Sequence, residues 1–162
     1  MNLIEYFSNS DSNDVILLLH TLLNRIPITI SGDNEEEIES IINEILSLIP
    51  FRNVQIYYTD FTDVNDFNSF NENEQQDYDI QRSVYVSYPY ASDKLIEEFS
   101  NFDSWIIGIM ELDNDLGLLE RIKSKIYHCQ PYFLHIELKG KNFFPKLKAK
   151  HFLILIYSLR NG

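Results

Sequence analysis

The 162-residue sequence predicts one three-layer α/β domain, with helices on both faces of a mostly parallel, Rossmann-like sheet of five or six strands. Three observations predict it. Short β-rich runs alternate with amphipathic helical runs, the pattern of βαβ units. One run, Trp105–Leu112 (WIIGIMEL), is almost wholly apolar, as a central strand buried on both faces must be. No internal repeat or Pro/Gly/Ser-rich linker divides the chain, and its length suits a single core.

The elements follow in order. Asp14–Arg25 (DVILLLHTLLNR) reads as a helix capped by Asn13 or Asp14, its leucines covering more than one face. Ile26–Ser31 (IPITIS) is a strand that ends at Gly32, with Pro27 confined to its start or to an edge because it lacks an N–H. Asp33–Ile49 has the strongest periodicity in the chain. Ile38, Ile41, Ile42, Ile45, Leu46 and Ile49 fall at helical spacing, and Pro50 stops the helix.

Val54–Tyr58 is the next strand. Thr59–Arg82 is rich in Asp, Asn, Glu and Gln and reads as a long acidic loop. Ser83–Tyr88 returns to strand character, Ser92–Phe102 is a helix built on Leu95, Ile96 and Phe99, and Leu116–Tyr127 is a further helix. Tyr132–Leu138 (YFLHIEL) is a strand. Lys139–Lys150 reads as a basic connection, and Phe152–Ser158 fits a last strand or a buried helix equally well.

Charge is divided unevenly. The net charge is −12, made of −20 over residues 1–120 and +8 over residues 121–162. A basic end of this kind docks on the acidic body, on a partner subunit or on an anionic surface, and the body's negative potential disfavours nucleic acid. The single cysteine, Cys129, excludes an internal disulfide and suits a reducing compartment, so the sequence reads as cytoplasmic.

In open α/β sheets ligands bind beyond the carboxyl ends of the strands. The first strand–turn–helix there reads ITISGDNEEEI, with one glycine and no lysine, which is unlike a phosphate-binding loop. Asp33, Glu35, Glu36 and Glu37 complement the positive end of the helix dipole and would repel a phosphate. They are the expected contact residues for a basic protein partner, with Lys139, Lys141, Lys146, Lys148 and Lys150 as the opposite-charge set.

The apolar strand ending in Glu111 and Asp113 is similar to the magnesium-holding strand of phosphate-loop enzymes. With Asp60 these are the metal candidates of an alternative reading, a degenerate phosphate-loop protein with weak nucleotide or Mg²⁺ binding. Glu111-x-Asp113-x-Asp115 is also similar to a calcium loop, but Gly117 falls one residue late and no glutamate closes it. His20, His128 and His135 form no i, i+4 pair, and neither Cys-x-x-Cys nor Gly-x-Ser-x-Gly occurs. No catalytic residue and no cofactor is expected.

One stretch carries a family resemblance. Leu17–Asp60 (LLLHTLLNRIPITISGDNEEEIESIINEILSLIPFRNVQIYYTD) resembles the central α/β lobe of DENN domains, and Trp105–Ile109 (WIIGI) looks like that lobe's later Phe-ϕ-ϕ-Gly-ϕ strand, ϕ being apolar. The resemblance covers about half the chain and implies an interaction module for small GTPases rather than a nucleotide-binding enzyme. It leaves no room for the longin-like lobe that completes a full DENN module. The expected function is therefore a non-catalytic protein-interaction module whose partner is a small GTPase or a paralogous subunit. A homo-oligomer, or an adaptor holding an anionic membrane surface through its basic segment, is compatible with it.

Overall fold

The computed structural model describes residues 12–57, 80–87, 95–97, 99, 102, 104–111, 120–121, 124–126, 128, 132–139 and 142–149. Their elements are α1 (Ser12–Leu23), β1 (Ile28–Gly32), α2 (Glu35–Ser47), β2 (Asn53–Tyr57), β3 (Ile80–Ser87), β4 (Trp105–Met110), β5 (Tyr132–Lys139) and β6 (Asn142–Ala149). Residues 95–97, 99, 120–121, 124–126 and 128 have helical backbone, within or next to the two helices expected between β3, β4 and β5. Among the described residues no helix is long and apolar enough to cross a membrane.

The strands form one six-stranded sheet in the order β2-β3-β4-β1-β5-β6. Every pairing from β2 to β5 is parallel, and β6 alone runs antiparallel, against β5. The first strand thus lies in the interior, between β4 and β5, and all five of its residues are buried.

Side chains alternate between two cores because successive strand residues point to opposite faces. On one face α1 and α2 lay Leu18, Leu22, Ile38, Ile41, Ile42 and Ile45 on Ile28, Ile30, Ile106, Leu134 and Ile136. On the other, Leu95, Ile96, Phe99, Phe102 and Ile126 cover Val84, Trp105, Ile107, Ile109 and Phe133. Phe99 meets both Phe102 and Trp105 edge-on, with ring centroids 6.1 and 6.2 Å apart. The chain is therefore a three-layer α/β fold, as the apolar run of β4 requires.

Gly108 explains how tightly α2 sits. Between Val84 and Ser87 the β3–β4 register shifts, so Tyr85 and Val86 stand opposite the single residue Gly108. Such a bulge pushes backbone toward the neighbouring strand. A Cβ on Gly108 would lie 2.0 Å from the Tyr85 carbonyl oxygen and 2.5 Å from Ile38 Cγ2. The bulged Tyr85 then donates its hydroxyl to Asn43 Oδ1 on α2.

At the other end of the strands a polar network fastens α1. Arg25 takes a left-handed φ of 59°. Its N–H donates to the Leu22 carbonyl and that of Ile26 to the Thr21 carbonyl, which closes the helix as a Schellman motif with arginine in the place glycine usually takes. Arg52 adds a second cap, its Nη2 donating to the Leu22 carbonyl at 2.6 Å. Its Nη1 donates to Gln81 Oε1 at 3.0 Å, and Ser104 Oγ donates to the same oxygen at 2.6 Å. Burial, and secondly the charge of Arg25, hold the Arg52 guanidinium below its usual pKa. Keeping that charge half-sequestered costs free energy, which these hydrogen bonds offset.

Four expectations are corrected. Asn142–Ala149 is a strand, not a basic connection, because Gly140-Lys141 leaves two residues between β5 and β6, the length of a tight hairpin. Ile80–Arg82 belong to β3, paired with β2, and not to the acidic loop. Ile26 and Pro27 precede β1, where the Pro27 carbonyl accepts from Leu134 N–H. The first helix stops at Leu23 because of the left-handed Arg25. Phe152–Ser158 and residues 58–79 lie outside the described residues.

Gly108→Ala is expected to cost about 3 kcal/mol or more, since its Cβ would strike backbone rather than a movable side chain. Gly32→Ala, whose nearest contact is Leu138 Cβ at 3.1 Å, should cost clearly less. Thermal unfolding of the two variants checks the order; at about 2–4 °C per kcal/mol the first should fall by roughly 6–12 °C.

Candidate functional site

The carboxyl end of β1 lies beside that of β4, and the chain leaves the two strands in opposite directions along the sheet, β1 leading to the β2 edge and β4 to β5. Such a switch in direction opens the crevice where open α/β sheets bind ligands. Here the two strands are pinned together by Glu111 N–H, which donates to the Gly32 carbonyl at 2.7 Å.

The turn out of β1 is acidic and outward-facing. Asn34 is the N-cap of α2, with extended φ and ψ of −126° and 114°, and its Oδ1 accepts from Glu37 N–H at 3.1 Å. Asp33, Glu35 and Glu36 are exposed and Glu37 is half-buried, while the next residue, Ile38, is fully buried. Ile38 rests over both glycines: its Cγ1 lies 3.5 Å from where a Gly32 Cβ would stand and its Cγ2 bears on Gly108. The four carboxylates are thus presented on a helix start that cannot slide along the sheet. Each is also favoured there by the helix dipole, by about 0.3–1 kcal/mol.

Glu111 is half-buried at the same end, and its Oε1 has no hydrogen-bond partner among the described residues. Its expected companions Asp60 and Asp113 lie outside the described residues. Among the described residues no three His, Cys, Asp or Glu side chains gather as a metal site. Of the lysines, Lys139 closes β5, and Lys146 and Lys148 pair in register with His135 and Phe133; Lys141 and Lys150 lie outside the described residues. The structure therefore gathers the acidic set in one turn and spreads the described lysines along a hairpin.

One polar constellation was not anticipated. Thr29 Oγ1 lies 2.9 Å from His135 Nδ1, and Ser31 Oγ lies 3.4 Å from His135 Nε2. All three are buried, Thr29 and Ser31 completely and His135 to 1% exposure. The hydroxyls follow one another at the two-residue spacing of a strand face, and pairing of β1 with β5 sets His135 opposite Thr29. Two hydroxyls able to donate or accept satisfy an imidazole in either tautomer, so the cluster serves as a polar tie inside the sheet. The alternation of Thr29 and Ser31 was the available sequence signal, but it gains meaning only once β5 is known to be the neighbour.

No protein-family model matches the chain, and no curated protein matches it. Solved structures do. One, a structural-study protein of Pyrococcus horikoshii OT3, is 13% identical and aligns over 93% of each chain with a TM-score of 0.33.

Asn34→Ala removes the side-chain cap and should destabilise the fold by about 1 kcal/mol, or about 2–4 °C in Tm, whereas Asn34→Asp should hold stability near the parent value. Urea unfolding of both variants checks this, with equal losses counting against the capping role.

Proposed function

We propose that the chain is a non-catalytic protein-interaction module that presents the acidic start of α2 to a basic surface on a partner protein. The observation that carries this reading is the set Asp33, Glu35, Glu36 and Glu37, gathered in a single turn whose next residue, Ile38, is buried against Gly32 and Gly108. A charged surface whose backbone is fixed in this way loses little backbone freedom on binding, and it steers a basic partner from a distance. The DENN resemblance of Leu17–Asp60 and Trp105–Ile109 supports a small GTPase as the class of partner.

The test is binding of the purified chain to small GTPases in nucleotide-free, GDP and GTP-analogue forms. Association should slow as ionic strength rises, because the screening length shrinks to about 8 Å at physiological salt. The triple change Glu35→Gln, Glu36→Gln and Glu37→Gln should slow association about 10-fold and leave dissociation nearly unchanged. Binding that ignores both salt and these substitutions counts against the acidic surface, and no binding to any GTPase counts against the partner class.

A second reading rests on Glu111, whose place beside Gly32 at the switch in strand direction favours weak Mg²⁺ or nucleotide binding there. Thermal shift with Mg-ATP and Mg-GTP separates the two readings. A ligand at 100 times its dissociation constant stabilises by about 2.7 kcal/mol, so a Tm rise of several degrees that Glu111→Gln removes would favour it. A flat response removes it.

A further inference from the structure

We draw no further inference here: the strongest candidate, the exposed apolar row of Ile16, Leu19 and Leu23 on α1, adjoins the core face of that helix, and nothing among the described residues shows what covers it.

Discussion

The placement of α2 depends on a side chain that is missing. Gly108 lies in the middle of β4, opposite the two residues of the β3 bulge, and the space a methyl group would fill there already holds the Tyr85 carbonyl and the tip of Ile38. Because those atoms sit so close, α2 lies low on the sheet at its carboxyl end, and its first turn emerges directly beside Gly32. The bulge contributes a second constraint by directing Tyr85 toward Asn43. A helix start fixed by two glycines and a hydroxyl is what turns four clustered carboxylates from a mobile patch into a defined surface.

The alternation that defines the fold was legible in the residues themselves. Ile38 to Ile49 repeat at 3.6-residue spacing, and Ile106, Ile107 and Ile109 of β4 are apolar in succession, so a helix and a doubly covered strand follow from local pattern. Asn34 as a cap was less visible, because Asp33 is an equally good capping residue, and only the hydrogen bond from Glu37 N–H distinguishes them. The hairpin of β5 and β6 was obscured by composition. The lysines between Lys139 and Lys150 suggested a solvated loop, although an edge strand rich in lysine and interrupted by Pro145 is how sheets protect a free edge.

What local pattern cannot encode is which strands become neighbours. The meeting of Thr29, Ser31 and His135 joins residues more than a hundred positions apart, and nothing near His135 distinguishes it from an ordinary strand histidine. Arg52 is similar. In the sequence it is one arginine after a helix-stopping proline, while in the fold it bonds the end of α1 and the starts of β3 and β4 at once. The acidic turn was found because its residues are adjacent in the chain. The polar ties that support the sheet were missed because theirs are not.

The interior position of β1 has a consequence for the order in which the molecule can assemble. Ile28 takes Ile106 and Leu134 as its neighbours, so the strand that follows the first helix waits for segments roughly eighty and a hundred residues later before it can hydrogen-bond on either side. Pairings so distant carry a large loop-closure entropy and slow the search for the native arrangement. During synthesis at about 5–20 residues per second, α1, β1 and α2 spend several seconds with their isoleucine faces uncovered. The β5–β6 hairpin, by contrast, closes over two residues and can form as soon as it emerges. Assembly of this sheet is therefore paced by its latest strands, and β1, made early, is among the last to be enclosed.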